Sequence, residues 1–492
     1  MDNNWTITLS PTETKFKGFV PTWFENDYPV FGNKGQASDM LNIDLTDPNV
    51  LTPGPKPSDL TGFAAVTKTI NALLPIAVSD DVSYGAGSNL IFKLSSTAVT
   101  NDGTYPMTLD KATVTGEDIT EVVFYKSNLY GFYNHSGSEG DIFKITLSTN
   151  AIDPDWGSTV PTGAHVLQDS VHYALVAGED SVYITNGQYV AKMADDSTLD
   201  DTALDFWSNS ETVSLTWNMN RVYVAVNRPN LSGSNFNQSG IYKWNGSSTS
   251  WEGDPVEVSG RLGALYTKNG TTYVWWQDSP GSGYFNFGYI NGSRLETLKK
   301  CEGTLPNHNQ VGEYKGYVQW VSDGLVYLYG SSSPVDCPEL FQYASAENTA
   351  TTGAISAPFG DILVASHDAT TGYNLSKLSG STVSSSYNTK VYPVTGPGVK
   401  SEIDLIQVEF DKLGSGGKLE TTITYNKGED SKSLTDITYS ATDTSTLRKI
   451  LRENESVQVE DFRLDLDFAK GSTANPVKIR TILIKGHYIQ NN

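Results

Sequence analysis

The sequence predicts an all-β protein in which a seven-bladed β-propeller is followed by a C-terminal β-sandwich or jelly-roll-like domain. A short strand recurs at a nearly constant period, which is typical of repeat architectures. The composition agrees, because 26 Tyr, 18 Phe and 10 Trp accompany 44 Gly, and aromatic and β-branched residues favour strands. Stretches with helical periodicity are scarce.

The recurring strand reads hydrophobic-x-Lys-hydrophobic in most copies. The third residue of each copy lies 51, 48, 51, 46, 53 and 35 residues after the previous one, which indicates seven units. The short last step predicts that a strand from outside the seventh repeat closes the ring. The copies are Ile91-Phe92-Lys93-Leu94, Ile142-Phe143-Lys144-Ile145, Val190-Ala191-Lys192-Met193, Ile241-Tyr242-Lys243-Trp244, the weaker Phe287-Gly288-Tyr289-Ile290, Leu340-Phe341-Gln342-Tyr343 and Leu375-Ser376-Lys377-Leu378.

Each copy follows a second strand rich in Val, Tyr and Leu, and apolar stretches further upstream raise the count toward the four strands of a blade. Asn186-Gly187 and Asn269-Gly270 lie between such strands, and Asn-Gly accepts the positive φ angles of a type I′ turn. A set of unrelated β-sandwich domains is the alternative, because it would also alternate short strands with Gly-rich turns.

The repeats occupy residues 63–390. Residues 1–62 precede them and are predicted to be an irregular docking segment that ends in a Pro-rich linker. Four aromatic side chains in this segment cannot be buried locally, so we expect them to contact a partner subunit or another domain, or to form a lid on the chain's own propeller. They are Trp23, Phe24, Tyr28 and Phe31.

Residues 391–492 form the predicted sandwich domain. Two stretches alternate apolar with polar residues, which indicates strands with one buried face. Their apolar residues are Ile406, Val408 and Phe410, and then Phe462, Leu464, Leu466 and Phe468. One short helix is predicted over residues 445–453, where Asp443 and Thr444 can cap its start.

The formal net charge is −22, and the residues from Lys400 onward carry only −2 of it, with 13 Lys plus Arg against 15 Asp plus Glu. The propeller is therefore the acidic part, and we expect no sequence-specific nucleic-acid binding. One acidic cluster could be a calcium site, but it lacks the spaced ligands and central Gly of an EF-hand loop, so a solvated loop is favoured. The cluster consists of Asp195, Asp196, Asp200, Asp201 and Asp205.

The sequence has no run of 18 apolar residues and no signal-peptide pattern at its start, so we expect neither a membrane span nor export. Cys301 and Cys337 are too few for a disulfide framework. Free thiols in a reducing compartment are favoured over a bridge between neighbouring blades.

The sequence contains few signs of catalysis. The six His show no metal-ligand spacing, and neither a Gly-x-Ser-x-Gly elbow nor a phosphate-binding loop occurs. Residues 153–159 faintly resemble an Asp-box turn of sialidases, and Trp275-Trp276 could stack on sugar rings. A glycosidase needs two facing carboxylates, and sequence cannot nominate a pair among 56 acidic residues. We therefore predict no catalytic residues, no cofactor and no metal, and that the chain is not an enzyme.

Two resemblances follow from particular residues. Tyr242-Lys243-Trp244 with Trp251, and Phe143-Lys144-Ile145 with Trp156, resemble the second half of a kelch-type blade, although the double Gly that opens such a blade is missing. Residues 35–55, with their Asn42-Ile43-Asp44, and the ending 476–487 resemble segments of β-propeller structural proteins in the tails of tailed bacteriophages.

The second resemblance implies a structural virion protein, made in the host cytoplasm, that belongs to the tail or a tail-attached ring. Its expected partners are other tail proteins and further copies in a homo-oligomeric ring, and its expected roles are assembly and DNA passage or host attachment. An acidic lumen would keep DNA from sticking to the ring. The alternative is a glycan-binding or glycan-cleaving β-propeller that recognises a host glycan.

Overall fold

A computed structural model gives an all-β chain, which confirms that part of the prediction. Among the described residues the one helical element is a 3-10 turn, η1 (His308–Gln310). The structure describes residues 4–489 apart from 11–14, 19–35, 48, 63–69, 110–117, 136–138, 157–165, 178–179, 195–197, 229–238, 280, 332–336, 347–350, 369–371, 380–383, 395–399, 412, 414–416, 435–436, 439–448 and 470–476.

The strands are numbered in chain order. Those before and within the first repeats are β1 (Asn4–Leu9), β2 (Ala37–Leu41), β3 (Ile43–Asp44), β4 (Thr52–Pro53), β5 (Pro57–Asp59), β6 (Ile70–Leu73), β7 (Ser83–Gly87), β8 (Leu90–Leu94), β9 (Met107–Thr108), β10 (Asp118–Tyr125), β11 (Asn128–His135), β12 (Glu139–Thr146), β13 (Ala151–Asp153), β14 (Ala174–Ala177), β15 (Ser181–Asn186), β16 (Tyr189–Met193) and β17 (Leu199–Asp205). The later repeats supply β18 (Glu211–Asn218), β19 (Arg221–Asn227), β20 (Ser239–Trp244), β21 (Glu252–Val258), β22 (Arg261–Lys268), β23 (Thr271–Gln277), β24 (Tyr284–Asn291), β25 (Arg294–Glu302), β26 (Val311–Tyr314), β27 (Tyr317–Ser322), β28 (Leu325–Gly330), β29 (Glu339–Ser345), β30 (Thr351–Ser356), β31 (Leu363–Asp368) and β32 (Gly372–Leu378). The last strands are β33 (Ser385–Thr389), β34 (Tyr392–Pro393), β35 (Ser401–Phe410), β36 (Lys418–Tyr425), β37 (Asp430–Ser433), β38 (Ile437–Thr438), β39 (Lys449–Val459), β40 (Asp461–Ala469) and β41 (Ile479–Tyr488).

Seven sheets in the described part of the chain have four strands that follow a simple meander. Consecutive strands are hydrogen-bonded neighbours in six of them, and in the seventh β5 joins the end of a three-stranded meander. This is the strand arrangement of propeller blades. The sheets are β6–β9, β10–β13, β14–β17, β18–β21, β22–β25, β26–β29 and β30–β32 with β5.

The chain divides into two compact units. The repeat unit comprises Asp59–Gly324 and Ala346–Lys377. The terminal unit comprises Met1–Ser58, Leu325–Ser345 and Leu378–Asn492. The sequence-based boundaries at residues 62 and 390 stay predictions.

Within the repeat unit, each sheet packs its apolar face against the next sheet. Shared hydrophobic clusters join the five sheets from β6–β9 through β22–β25 in order. Trp275 of β23 then meets Trp320 of β27 edge to face, with 5.6 Å between ring centroids, and β27 contacts β30. A last cluster packs Phe92 of β8 with Leu363 of β31, so the series of contacts returns to its first sheet.

The repeated Lys contacts a Tyr that lies opposite it on the preceding strand. The ammonium group sits 5.6 to 5.8 Å from the ring centroid, within the range of cation–π attraction. The pairs are Lys144 with Tyr130, Lys192 with Tyr183, and Lys243 with Tyr223. Lys192 Nζ also donates at 2.7 Å to the Gly246 carbonyl oxygen of the next sheet. In these three sheets the sequence motif therefore marks a contact between neighbouring strands, and Lys192 also bonds to the next sheet.

The sixth copy of the motif is displaced by one strand. Gln342 lies on β29, the fourth strand of its sheet, whereas the other copies lie on third strands. This displacement lengthens the step before Gln342 and shortens the step after it. The short last step in the sequence thus has a cause that we did not predict.

A strand from before the first repeat does take part in the last sheet, because β5 neighbours β32. In the repeat unit, Leu60 N donates to Leu375 O at 3.1 Å. Ser376 Oγ donates to Asp59 Oδ1 at 2.9 Å. These bonds hold the start of the unit against its final strand.

One of the two predicted Asn-Gly turns has the expected residues. Asn269 and Gly270 have φ angles of 49° and 77° and join β22 to β23, as a type I′ turn requires. The other is shifted by one residue, because Asn186 pairs with Tyr189 and leaves Gly187 and Gln188 to form the turn.

The terminal unit contains a four-stranded sheet with the order β1-β41-β35-β39 and a seven-stranded sheet. The second sheet has the order β2-β33-β40-β36-β37, and in addition β34 pairs with β40 and β38 with β36. The predicted alternation is confirmed, because all seven apolar residues singled out in β35 and β40 are buried. Trp5 of β1 stacks on Phe462 of β40 with 5.9 Å between centroids, so residues of the two sheets meet in a shared core.

Two sequence-based expectations are wrong in this unit. The N-terminal segment is not irregular where it is described, because β1 pairs with β41 and β2 with β33. Residues 449–453 of the predicted helix belong to β39, which pairs with β35, so sheet pairing overrides the local capping signal. Residues 445–448 and the aromatic group Trp23, Phe24, Tyr28 and Phe31 lie outside the described residues.

Both cysteines are free, with Cys301 buried in β25 and Cys337 exposed. Burial raises the pKa of the Cys301 thiol. In the described part of the chain, no helix has the length and apolarity to cross a membrane.

We expect Lys192→Met to lower the free energy of unfolding by about 1 to 2 kcal/mol, because it removes a charged hydrogen bond to the next sheet. Lys243→Met is the matched control, since Lys243 makes the same ring contact with Tyr223. Urea denaturation of both variants would measure the difference. Equal losses in the two variants would show that the Gly246 bond contributes nothing.

Candidate functional site

The first strands of the sheets surround a common centre in the repeat unit. They contact one another in the closed series β6, β10, β14, β18, β22, β26, β30 and again β6. Side chains near the starts of these strands can therefore converge although they are far apart in sequence.

This centre is filled by the residues 304–310, which we call the central segment. Asn309 Nδ2 donates to the carbonyl oxygens of Asn71 in β6, at 2.7 Å, and Thr120 in β10, at 2.9 Å. His308 Nδ1 lies 2.9 Å from Ser214 Oγ of β18. The open acidic lumen expected for DNA passage is therefore wrong for the described ring of strands.

Burial shifts the pKa values of three titratable groups near His308 toward their neutral forms. Glu121 is 4% exposed, and burial raises its pKa to about 8, although its Oε1 accepts a bond from Val122 N at 2.9 Å. Burial lowers the pKa of His308 to about 4. Burial, assisted by the charges of Glu121 and Glu211, raises the pKa of Tyr173, whose ring lies 5.4 Å from that of His308.

A pocket with a volume of 820 Å³ lies beside the central segment. Residues 304–307 of that segment line it together with Tyr173. Its charged lining residues are Asp169, Glu211, Arg261, Glu302 and Asp323. Four carboxyl groups and one guanidinium group from different parts of the repeat unit therefore line the pocket.

The surroundings of Glu211 in the pocket raise its pKa. Burial raises its pKa, the positive charge of Arg261 opposes that rise, and the negative charge of Asp169 adds to it. Glu211 therefore keeps its proton to a higher pH than an ordinary glutamic acid. A protonated carboxyl close to a carboxylate is the arrangement that acid–base catalysis uses.

Local strand geometry places Glu211 and Arg261 at the pocket. Each is the first residue of an inner strand, β18 or β22, and each strand has a bulge within its next few residues. Bulges redirect the side chains beside them. The side chain of Asn227 fixes the start of β22, because it accepts from Leu262 N at 2.7 Å and donates to Leu262 O at 2.9 Å.

The acidic cluster singled out in the sequence does not form a site with these residues. Asp200, Asp201 and Asp205 lie on β17, and Asp195 and Asp196 are outside the described residues. Across the described residues, no group of three or more His, Cys, Asp or Glu is placed to hold a metal ion.

The aromatic candidates for sugar stacking are core residues. Trp275 is fully buried and Trp276 is 6% exposed, so neither presents a face to a ligand. Trp156, in the middle of the Asp-box-like stretch, packs on Tyr130 with 5.1 Å between centroids.

The sequence analysis missed Asp169, Glu211 and Arg261. A signal was present, because these residues recur at roughly the spacing of the repeats, just before or at the start of the first strand of consecutive sheets. Aligning the repeats on their first strands, instead of on the Lys motif, would have brought Glu211 and Arg261 into one column, whereas Asp169 lies five residues before β14.

No family model and no curated protein matches the sequence. Solved structures similar to the chain include the computationally designed Ika8 protein, with 12% identity, a TM-score of 0.37 and coverage of 66% of this chain and 99% of that one. An exo-beta-1,3-galactanase from Phanerochaete chrysosporium has 9% identity, a TM-score of 0.34 and coverage of 88% and 99%. A glycoside hydrolase family 43 arabinoxylan arabinofuranohydrolase from Bacillus subtilis has 10% identity, a TM-score of 0.29 and coverage of 87% and 97%.

The presence of glycoside hydrolases among these structures contradicts the prediction that the chain is not an enzyme, and that prediction is withdrawn. At such identities and TM-scores, the likeness assigns no activity to this chain. The pocket is the feature of this chain from which a function is inferred.

We expect Glu121→Gln to stabilise the chain at pH 8 and to have little effect near pH 4.5. Burial raises the pKa of Glu121 from an ordinary 4.5 to about 8, so between these values the unfolded chain releases a proton that the folded chain keeps. The wild type therefore loses stability as the pH rises through this range. Thermal unfolding from pH 4.5 to 9 would measure the effect, with the exposed Glu257→Gln as control. Parallel curves for wild type and Glu121→Gln would contradict it.

Proposed function

We propose that the chain is a glycan-cleaving protein built on a seven-bladed β-propeller, with a β-sandwich formed by its C-terminal region. The closed series of inner strands and the shared clusters between successive sheets support the propeller. The shared core at Trp5 and Phe462 supports the sandwich. The observation that carries the function is the pocket in which Glu211, Asp169 and Arg261 meet.

Glycoside hydrolysis needs two carboxyl groups with different protonation states. One must donate a proton to the leaving oxygen, and the other must be ionised to activate water or to attack the sugar carbon. Burial and the neighbouring negative charge of Asp169 raise the pKa of Glu211, which suits it to be the proton donor. Asp169 is the second carboxyl group of the proposed pair.

The remaining lining suits a polar ligand. A volume of 820 Å³ lies within the range of sites for small organic ligands. Arg261, Gln277 and Asn307 offer hydrogen-bond donors to hydroxyl groups, and Tyr173 contributes part of an aromatic wall. The site thus combines a proton donor with the polar groups that sugar recognition requires.

The virion role implied by the resemblance to phage tail proteins stays a proposal beside this one. A host glycan as ligand would fit the host-attachment part of that role. DNA passage along the axis of the ring is not proposed, because the central segment occupies the axis.

We expect the purified protein to release reducing ends from at least one member of a panel of purified bacterial, fungal and plant polysaccharides. Glu211→Gln and Asp169→Asn should each lower turnover by roughly 10²- to 10⁴-fold, because each removes one partner of the acid–base pair. Asp205→Asn, on β17 and outside the pocket, is the control and should retain activity. Turnover that survives both pocket substitutions would rule out this pair as the catalytic groups.

We expect Arg261→Met to move the alkaline limb of the rate profile to higher pH. The proton donor works only while it is protonated, so activity is lost as the pH rises through the pKa of Glu211. Arg261 lowers that pKa, and removing its charge should raise it. Turnover measured from pH 4 to 9 would show the shift. A shift toward lower pH would assign the proton donor to another group.

A further inference from the structure

Asp169 belongs to residues 166–173, which we call the Asp169 segment. In the second half of this segment, Asp169, Val171 and Tyr173 line the pocket. His172 lies between two of them in sequence, but it is completely buried. A titratable ring therefore stands behind the pocket wall, three residues after Asp169.

Side chains of two neighbouring sheets hold the backbone of the Asp169 segment. Four of its N–H groups donate to side-chain oxygens on β10, β12 and β15, over 2.8 to 3.3 Å. The pairs are Val166 with Asp141, Gln168 with Asn186, His172 with Thr120 and Tyr173 with Thr185. Leu167 and Gly140 also exchange two backbone bonds at 3.0 and 3.2 Å. Such bonds can break while the strands of both sheets stay paired, so the segment can open locally.

The imidazole of His172 fills the space between the segment and these sheets. Its Nδ1 lies 3.2 Å from the carbonyl oxygen of Thr185 in β15, to which the tautomer with a proton on Nδ1 donates. A Cβ on Gly140 of β12 would lie 2.0 Å from His172 Nε2 and 2.7 Å from Asp169 O. The ring thus joins the segment to both sheets, at a place where β12 leaves room for it only because residue 140 is glycine.

Protonation of this ring is unfavourable while the segment is closed. Burial lowers the pKa of His172 below its ordinary value of 6.5. Backbone hydrogen bonds of Thr185 and Asp169, and the negative charges of Asp169 and Asp141, oppose this effect without outweighing it. Thr120 and Thr185, which contact the segment from β10 and β15, carry no charge.

This burial couples the segment to pH. In an opened segment water would solvate the ring, and the pKa of His172 would return toward its ordinary value. The opened segment would then bind a proton that the closed one excludes. A fall in pH therefore favours opening.

We infer that the neutral ring of His172 positions Asp169 at the pocket, and that protonation of the ring opens the Asp169 segment. Because His172 stands behind the pocket wall, it acts on the site through Asp169 and not on the ligand itself. The effect on turnover rests on the proposed function, whereas the opening requires no ligand. The site is thereby regulated by pH through a group that takes no part in the chemistry.

Hydrogen–deuterium exchange of the full chain measures the opening directly. It is followed by mass spectrometry from pH 7.5 to 4.5, with each rate corrected for the intrinsic pH dependence of amide exchange. Protection of residues 166–173 should fall by up to about tenfold per pH unit as the pH drops below 6.5, because opening takes up one proton. Peptides from β19 are the internal reference and should keep their protection.

His172→Gln is the decisive variant, because glutamine does not titrate and its amide can donate to Thr185 O. Its protection over residues 166–173 should not depend on pH. Asp141→Asn is the matched control, since it removes a titratable group beside the ring but keeps an oxygen that accepts from Val166 N. The acid-dependent fall should persist in this control. If thermal unfolding at pH 7.5 shows that His172→Gln does not fold, His172→Asn takes its place.

Protection that is independent of pH in the wild type would overturn the inference, as would a fall that survives the His172 substitution or disappears in Asp141→Asn. None of these results involves a glycan, so the proposed function would stand. If no polysaccharide of the panel is cleaved, the proposed function fails, and the exchange data still decide whether the segment opens. Where turnover is found, His172→Gln should extend activity to lower pH. An acid limb identical to that of the wild type would show that the opening does not control the site.

Discussion

The closed series of contacts between sheets is the constraint on which the repeat unit depends. A four-stranded sheet exposes two faces, and the sheets from β6–β9 through β22–β25 bury theirs by packing against the next sheet in the series. The cluster of Phe92 with Leu363 closes the series, and the bonds of Leu60 and Ser376 hold the ends of the unit together. Because these contacts join residues distant in sequence, the inner strands acquire fixed positions only when the series is complete.

The closed series of inner strands surrounds a centre that the central segment occupies. Asn309 and His308 of this segment form hydrogen bonds with the inner strands, and burial shifts the pKa values of His308 and the nearby Glu121 toward their neutral forms. The pKa of Glu121 is raised to about 8 because charging it in a buried place costs more than its hydrogen bonds from the backbone of Val122 and Ala174 return. His308 stays neutral for the same reason. The central segment satisfies the carbonyl oxygens of Asn71 and Thr120, which would otherwise face the axis. The pocket is therefore placed between the central segment and the ends of two bulged strands.

The recurring strands could be predicted from the local periodicity of the sequence. The residues that meet only when the inner strands form a closed series could not. The recurring motif lies on the third strand of six of the seven four-stranded meander sheets, and in three of them its Lys lies opposite a Tyr of the neighbouring strand. The predicted helix was wrong for residues 449–453 because β39 gains its bonds from β35, a partner that local signals do not reveal. Glu211 and Asp169 could not be paired from sequence, since only the ring brings the starts of β14 and β18 together. The position of the central segment had no local signal at all.

The distribution of charge connects the fold to the kind of ligand that the site suits. The chain carries a net charge of −22, so its field repels phosphate-rich polymers. In the pocket, Arg261 offsets part of the charge of Asp169, and Glu211 is protonated over a wider pH range than usual. The net negative charge of the chain would repel a polyanion, and in the pocket Arg261 alone would offset its charge. A neutral sugar is not repelled, and its hydroxyl groups can form hydrogen bonds with carboxylate, amide and guanidinium groups. An acidic chain is thus compatible with a neutral glycan, which is the ligand class of the proposed function.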